Sequence, residues 1–153
     1  MITFTTFLTE SKSAPLYHAT RLMNAEKILR DNTLFGTMQE HGYTQGKKGI
    51  FLTRSLKHAR HIYGGEEKVI FVIDQLKLNQ RYKIKPIKNW PHRNDNHAPQ
   101  YMTGNMGGNE FEEFVETNKI TDIDNYIVKI YVQHKIDPAK YPLLTSDERV
   151  EYI

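Results

Sequence analysis

The sequence predicts a single α+β domain, and three of its features carry that prediction. Residues 68–74, KVIFVID, form a continuous apolar run of the length of a buried strand. Residues 16–20 and 126–132 combine β-branched and aromatic side chains, as short strands do. Over residues 22–29 the apolar side chains recur at helical spacing. Strands interspersed with short helices in 153 residues predict one sheet with helices packed on it.

Composition excludes several classes of protein. With no cysteine there is no disulfide scaffold, thiolate nucleophile or cysteine zinc site. No apolar stretch approaches the roughly 20 residues needed to span a bilayer, so we expect no membrane partner. The excess of 21 Lys+Arg over 18 Asp+Glu permits a nucleic-acid partner without indicating one. Without a sustained heptad pattern, the chain is expected to be a monomer.

The N-terminal residues predict a lead segment and then the first two elements of the fold. Residues 1–14 are of mixed polarity and are expected to be flexible, with the folded domain spanning 15–153. They lack the features of a secretory signal, which makes the cytoplasm the expected location. The strand over 16–20 passes directly into an amphipathic helix, for which Thr20 or Asn24 is the expected N-cap.

The next elements are a loop, a strand and a helix. Residues 37–48 are polar and contain two glycines, which is typical of a surface loop. Residues 49–53, GIFLT, form a short apolar strand. Ser55 is placed to cap a second helix that continues to Tyr63 and ends at a pair of glycines.

The second half of the chain predicts three strands separated by a long loop. A half-buried strand is expected over 82–85, and residues 88–109 show no periodic pattern. Two strands follow, over 111–115 and 126–132, and a short terminal helix is expected after Ser146.

Carboxylates stand among apolar residues in 109–115, NEFEEFV. The period of a strand puts Glu110 and Glu112 on one face and Glu113 on the other with Val115, so one carboxylate lies at the core boundary in either orientation. Such a group can hold a ribose hydroxyl or stabilise a cationic transition state. The alternative is an edge strand whose acidic residues prevent edge-to-edge aggregation.

Histidines occur in two further settings. His18 lies on the first predicted strand, where its imidazole can bind a sugar hydroxyl with Thr20 supporting it, or can be a satisfied core residue. His58 and His61 share a helix face with basic neighbours and have no evident third ligand. We expect a solvated helix face there and no metal site.

These segments, in this order, resemble the ADP-ribosyltransferase fold, in the branch with the signature His, Tyr and Glu that includes diphtheria toxin and the poly(ADP-ribose) polymerases. Residues 17–20, YHAT, with the helix after them are similar to its opening strand and helix. Residues 49–53 and the helix to Tyr63 are similar to its Gly-Ile-Tyr-Phe-Ala strand and the helix that ends in the nicotinamide-stacking Tyr. A Gly-rich loop before a Glu-bearing strand is also similar. The resemblance implies a split β-sheet core with two short helices.

The resemblance also implies which residues bind NAD+. His18 would bind a ribose, with Thr20 and the backbone of Tyr17 nearby, and Tyr63 would stack on nicotinamide. Phe51 stands in the place of the signature Tyr, which keeps the ring but loses the phenol. The implied NAD+-binding set is Tyr17, His18, Thr20, Phe51, Thr53 and Tyr63.

For the catalytic carboxylate the resemblance implies Glu113, with Glu112 as the neighbouring choice. The Glu-x-Glu pattern of arginine-modifying members matches Glu110 and Glu112 instead, and the strand register decides between them. The implied activity is mono-ADP-ribosyl transfer from NAD+, with no metal, to a host macromolecule that is expected to be a protein. NAD+ is then the substrate, and the carboxylate would stabilise the charge that develops on its ribose.

The N-terminus carries a separate resemblance. Leu8-Thr9-Glu10 is similar to the targeting peptide of internal head proteins of large tailed phages, which is cut after a Glu. This implies a phage effector or counter-defence factor that acts in the host cytoplasm and is packaged in the virion head.

Two other functions are compatible with the same fold. One is a catalytically inactive virion or host-binding protein, which the loss of the phenol at Phe51 favours. The other is a nucleic-acid-modifying enzyme, whose backbone contacts would come from Lys83, Lys85, Lys88 and Arg93 beside the long loop. A solvated strand edge explains those cations equally well.

Overall fold

An eight-stranded sheet organises the part of the chain that the computed structural model describes, residues 14–40, 44–61, 67–86 and 112–153. The strands are β1 Leu16–Arg21, β2 Thr33–Phe35, β3 Thr37–Met38, β4 Lys48–Thr53, β5 Lys68–Ile73, β6 Ile84–Pro86, β7 Glu112–Glu116, β8 Lys119–Thr121, β9 Ile127–Val132 and β10 Val150–Tyr152. The helices are α1 Leu22–Asp31, α2 Leu56–His61, α3 Gln75–Asn79 and α4 Pro142–Ser146, with a 3-10 turn at Ile123–Asn125.

The strand order of this sheet is β10-β9-β5-β1-β4-β7-β6, with β3 paired to β4. β10 runs parallel to β9, whereas the pairs β5–β9, β1–β5, β1–β4 and β4–β7 are antiparallel. β2 and β8 form a separate two-stranded sheet. Strands and short helices alternate around one mixed sheet, which confirms the predicted α+β class.

β5 is the central strand, as its unbroken apolar run predicts. All six of its residues are buried, and it is hydrogen-bonded between β1 and β9. Phe71 belongs to the main core, which includes residues of α1, while Ile70 packs on the opposite face with Ala59 of α2. Both faces of the sheet are therefore covered at its centre.

The first helix begins at Leu22, between the starting points that the two expected caps would give. Its N-cap is Arg21, without a side-chain hydrogen bond, so the expectation of Thr20 or Asn24 is wrong. The reason is that β1 extends to Arg21 and keeps Thr20 buried in the sheet. The first amide of the helix, that of Leu22, donates to the carbonyl of Glu67 instead. The helix ends at Asn32, which adopts the left-handed conformation with φ of 50°.

The second helix begins as predicted. The hydroxyl of Ser55 accepts a hydrogen bond from the backbone N–H of His58 at 3.1 Å, which is a side-chain N-cap. α2 is described to His61, and Tyr63 lies outside the described residues.

Several short elements were not predicted. Residues 37–48, expected to be loop throughout, contain β3, which pairs with β4 through Thr37 and Gly49. β2, β8 and α3 have three to five residues each, and segments of that length are too short to show a periodic pattern. The described residues therefore contain four helices, whereas the predicted core has two.

The C-terminal helix was predicted in the wrong place. α4 ends at Ser146, where the helix was expected to start, and residues 150–152 form the strand β10. Pro142 begins α4, where its missing N–H costs nothing. The next two amides, those of Leu143 and Leu144, donate to the buried carboxylate of Glu26 on α1 at 2.8 and 3.0 Å. This contact between distant segments positions α4, and no local pattern signals it.

None of the helices in the described ranges is long and apolar enough to cross a membrane.

Candidate active site

The sheet is split between β1 and β4. Within the described residues these two antiparallel strands share one ladder pair, Tyr17 with Thr53. Beyond that pair the strands separate, and the side chain of His18 bridges the start of the gap. Its Nδ1 lies 3.0 Å from the carbonyl oxygen of Phe51 on β4. A side chain thus takes a position that a backbone hydrogen bond would hold in a continuous sheet.

The hydrogen bond of His18 defines what the rest of its ring can do. Because a carbonyl oxygen only accepts, Nδ1 must carry the hydrogen, and this leaves Nε2 of the neutral ring as an acceptor. Burial lowers the pKa of His18 below its ordinary 6.5, more than the bond to Phe51 raises it. The imidazole is therefore neutral near pH 7 and suited to accept a hydrogen bond from a hydroxyl.

Glu113 lies inside the sheet and not at its edge. β7 is paired with β4 on one side and β6 on the other, so the interpretation of its acidic residues as edge protection is wrong. Glu113 is 1% exposed, and its carboxylate forms an ion pair with the guanidinium of Arg54. A buried carboxylate requires such a partner, because desolvation of an unpaired charge is costly. The side chain of Arg54 is 38% exposed and reaches solvent.

His18 and Glu113 share one face of the sheet. His18 pairs with the main-core residue Phe71, and Glu113 pairs with the main-core residue Leu52. Directly paired residues project to the same side, and the side chain two positions along a strand does so too. Thr20 lies two positions after His18 on β1 and is buried. Arg54 lies two positions after Leu52. The structure therefore directs His18, Thr20, Glu113 and Arg54 toward one face.

Three other residues predicted to bind NAD+ lie on the opposite face. The ring of Tyr17 packs with residues of the small core cluster under α2. Phe51 stacks at a tilt against Phe114, with ring centroids 5.1 Å apart. The hydroxyl of Thr53 accepts a hydrogen bond from the backbone N–H of Ser55 at 3.2 Å. These side chains have packing or capping partners there, and only the backbones of Tyr17 and Phe51 border His18.

The remaining predicted site residues are described in part or not at all. Glu112 pairs with Thr53 in the ladder between β7 and β4. Glu110 and Tyr63 lie outside the described residues, so their roles stay predictions. In the described ranges no group of three His, Cys, Asp or Glu side chains is arranged to hold a metal ion.

Arg54 was missed by the sequence interpretation. It directly follows the predicted strand 49–53 and precedes the predicted helix cap Ser55, so the sequence indicates a turn at this position. Its position next to Glu113 depends on the register of β4 with β7, which pairs Leu52 with Glu113 across two distant segments. The only local signal was that Arg54 continues the alternation of Ile50 and Leu52.

Comparison with known proteins gives a structural likeness without a sequence match. No protein-family model matches the chain, and no curated protein matches it in sequence. Two solved structures of DarT from Thermus sp. 2.9, in complex with NAD+ and with carba-NAD+, are similar to it, with TM-scores of 0.51 and 0.50. In both cases the likeness covers 81% of this chain and 84% of that chain at 12% identity. The chain therefore has an ADP-ribosyltransferase-like fold, as predicted.

Proposed function

We propose that this protein is an NAD+-dependent mono-ADP-ribosyltransferase. The observation that carries the proposal is the pair of Glu113 with Arg54 on the same face as His18, at the split between β1 and β4. The DarT structures that share the fold hold NAD+ or carba-NAD+, which supports NAD+ as the substrate class. A buried carboxylate and a neutral imidazole on one face of the sheet suit a ligand that offers ribose hydroxyls and develops positive charge.

Each residue of the site has a part in the proposed reaction. The bond between nicotinamide and C1′ of the ribose breaks, and its electron pair leaves with neutral nicotinamide. The positive charge left on C1′ and the ring oxygen is stabilised by the carboxylate of Glu113, which also holds the 2′-hydroxyl. The acceptor then attacks C1′ and gives up a proton. Nε2 of His18 accepts a hydrogen bond from a ribose hydroxyl, and Arg54 keeps the carboxylate of Glu113 in place.

Removing the imidazole is expected to weaken NAD+ binding without preventing folding. His18→Ala should raise the Kd for NAD+ about tenfold, the equivalent of one well-formed hydrogen bond. Isothermal titration calorimetry measures this directly. His134→Ala is the matched control, since His134 is exposed and lies two residues beyond the end of β9, so this variant should leave the Kd unchanged. Equal affinities for wild type and His18→Ala would remove His18 from the site.

The lowered pKa of His18 predicts a pH dependence of stability. In the unfolded chain His18 has its ordinary pKa of 6.5, whereas in the folded protein burial lowers this pKa. The unfolded state therefore binds more protons below pH 6.5, and stability falls as the pH falls through the lowered pKa. Because the chain has 7 histidines, the measurement is the difference between wild type and His18→Gln. Between pH 7.5 and pH 5 the Tm of wild type should fall further than the Tm of His18→Gln. Equal decreases in Tm would contradict the prediction.

The acceptor expected from the sequence is a host protein, and one surface favours nucleic acid as the second candidate. Phe35 and Met38 are 54% and 59% exposed, and they pair across their ladders with Lys119 and Lys48. The two ladders come close where the amide of Thr117 donates to the carbonyl of Lys48. Exposed aromatic and apolar side chains next to lysines are typical of surfaces that bind single-stranded nucleic acid.

The cations first considered for nucleic acid give less support to that candidate. Lys85 lies 3.5 Å from Glu116 and is engaged in an ion pair. Lys88 and Arg93 lie outside the described residues.

The experiment that tests the function measures the transfer of labelled ADP-ribose from NAD+ to an acceptor. The protein is incubated with NAD+ labelled in the adenylate and with a bacterial lysate. One half of the products is then treated with nuclease and the other half with protease. Label transferred by wild type and not by the Glu112→Gln/Glu113→Gln double variant establishes the transferase. Protease-sensitive label identifies a protein acceptor, and nuclease-sensitive label identifies a nucleic acid.

The inactive virion or host-binding protein predicts a different result in the same assay. NAD+ would bind, or fail to bind, without nicotinamide release and without transfer, while circular dichroism reported an intact fold. That outcome would replace the proposed function, and the phenylalanine at position 51 would then explain the loss of activity.

We further propose that the protein is a phage product that acts in the host cytoplasm after packaging in the virion head. The support is the Leu8-Thr9-Glu10 sequence, which lies outside the described residues. N-terminal sequencing of the protein recovered from virions should give a chain that begins at Ser11. An intact N-terminus in the virion, or absence from it, would contradict the packaging proposal.

A further inference from the structure

β10 forms an open edge of the sheet in the part of the chain that the structure describes. It is the first strand in the order β10-β9-β5-β1-β4-β7-β6, and its single ladder is with β9. The N–H of Ile130 donates to the carbonyl of Arg149, and the N–H of Ile153 donates to the carbonyl of Val132. Because the backbone groups of successive residues alternate between the two sides of a strand, the N–H and C=O of Tyr152 point away from β9. These two groups can pair with a further strand.

The other edge of the sheet is protected against such pairing, and this edge is not. β6 contains Lys85 and ends in Pro86, two residue types that disfavour the addition of another strand. β10 contains neither type, and the carboxylate of its Glu151 lies 3.1 Å from the ammonium group of Lys129 on the neighbouring β9. The edge of β10 is therefore a place where an extended segment of another protein can add to the sheet.

A groove of about 650 Å³ adjoins this edge. It is lined by residues 133–136 and 138, by Thr145 of α4 and by Tyr152 of β10. Tyr152 pairs with the core residue Val132, so its ring projects to the face of the sheet on which Leu144 of α4 packs. Tyr152 is 52% exposed there. The groove thus combines an aromatic surface with the unpaired backbone of the edge strand.

The polar groups of the groove favour a partner with acidic side chains. None of the residues that line it is acidic, and His134 and Lys135 are exposed. Asp137 lies between two lining residues, but its carboxylate accepts a hydrogen bond from the backbone N–H of Ala139 at 2.9 Å. The backbone of residues 134–136 makes no hydrogen bond to the backbone of another described residue. An ammonium group beside free backbone donors is suited to bind a carboxylate.

We propose that this groove binds an extended segment of a partner protein that carries acidic and apolar side chains. The backbone of the segment pairs with Tyr152, an apolar side chain packs on the ring of Tyr152, and a carboxylate binds Lys135. The inference goes beyond the proposed function and does not depend on it. β9 and β5 lie between β10 and β1, which borders the split, so about 14 Å of sheet separates the groove from the candidate active site.

The test uses labelled peptides of defined sequence, whose binding is measured by fluorescence anisotropy. The probe is a repeat of Val-Val-Glu-Glu, so that each face of the extended peptide carries apolar and acidic side chains. A repeat of Val-Val-Lys-Lys tests the charge. A Val-Val-Glu-Glu repeat with N-methylated peptide bonds tests the strand pairing, because its backbone cannot donate hydrogen bonds.

Two variants of the protein test the groove, and a third is the matched control. Lys135→Glu reverses the exposed charge, and Tyr152→Ala removes the ring. Lys77→Glu is the control, since Lys77 is exposed on α3, which follows the end of β5 that pairs with the start of β9. The groove lies beyond the other end of β9. Thermal unfolding shows whether each variant is folded, and if Tyr152→Ala is not, Lys135→Glu carries the test.

Wild type should bind the Val-Val-Glu-Glu peptide more tightly than either of the other two peptides. Lys135→Glu and Tyr152→Ala should each weaken this binding about tenfold or more, the equivalent of one charge-assisted hydrogen bond or one buried ring. Lys77→Glu should bind like wild type. The inference is overturned if wild type does not bind the acidic peptide, or if it binds the basic or N-methylated peptide equally well. It is also overturned if Lys135→Glu binds the acidic peptide as tightly as Lys77→Glu does.

Discussion

Glu113→Gln is expected to abolish the cleavage of NAD+ while leaving NAD+ bound. The amide keeps the size of the side chain, and its oxygen can still accept from Arg54. What it loses is the negative charge that faces the developing positive charge of the ribose. Loss of a preorganised electrostatic contact of this kind costs roughly 10² to 10³ in rate. The Kd for NAD+ should change by no more than a few-fold.

The measurement is nicotinamide release under single-turnover conditions, together with the Kd and the Tm of each variant. Glu116→Gln is the matched control, because it lies on the same strand but is exposed and loses only its 3.5 Å ion pair with Lys85. Glu112→Gln tests the register. If Glu112→Gln were inactive and Glu113→Gln active, the assignment of the catalytic carboxylate to Glu113 would be wrong.

A loss of charge at Glu113 also leaves Arg54 without its partner, so folding must be separated from catalysis. The double variant Glu113→Gln/Arg54→Met removes both charges of the pair. It should recover any stability lost in the single variant, because the cost of an uncompensated charge disappears. Catalysis should not recover. Recovery of nicotinamide release in the double variant would show that the carboxylate serves the fold and not the reaction.

Gly49→Ala should cause the largest loss of stability of the single substitutions considered. A Cβ atom at this position would lie 2.3 Å from Cζ of Phe114 and 2.4 Å from the carbonyl oxygen of Val115. The ring can shift only by disturbing its packing on Phe51, and the carbonyl belongs to the ladder of β4 with β7. We expect a loss of about 3 kcal/mol, or roughly 6–12 °C in Tm for a chain of this size.

Gly46→Ala is the comparison for this prediction. Gly46 has a φ of +79°, and no atom lies within 4 Å of a Cβ built there. Its replacement should cost only the strain of a left-handed alanine, about 1 kcal/mol. Chemical denaturation of the two variants measures the difference. A Gly49→Ala protein as stable as Gly46→Ala would mean that β4 and β7 are not packed as closely as described.

Gly49 also links the fold to the site. A displacement of β7 from β4 moves Glu113 relative to Leu52 and Arg54, so Gly49→Ala should reduce catalysis beyond its effect on the folded fraction. The apolar strand that contains Gly49 was readable in the sequence, but the need for glycine at that position was not. It arises from a ring that comes from a distant segment.

Local patterns account for the parts of the fold that were predicted correctly. The apolar run of β5, the helical spacing of α1 and the Ser55 cap depend on neighbours within one or two turns of chain. The misplaced terminal helix shows the limit of such patterns. α4 is held by Glu26 of α1, and β10 exists because β9 offers it an edge.

By itself, the sequence determined the class of the fold, its central strand and the presence of a carboxylate at the core boundary of β7. These depend on composition and period, which are local properties. Only the tertiary structure decided which carboxylate is buried, that it pairs with Arg54, and that His18 shares its face while Tyr17, Phe51 and Thr53 do not. The reason is physical, because faces are set by the register of strands that meet from distant parts of the chain, and a shift of one residue reverses every face.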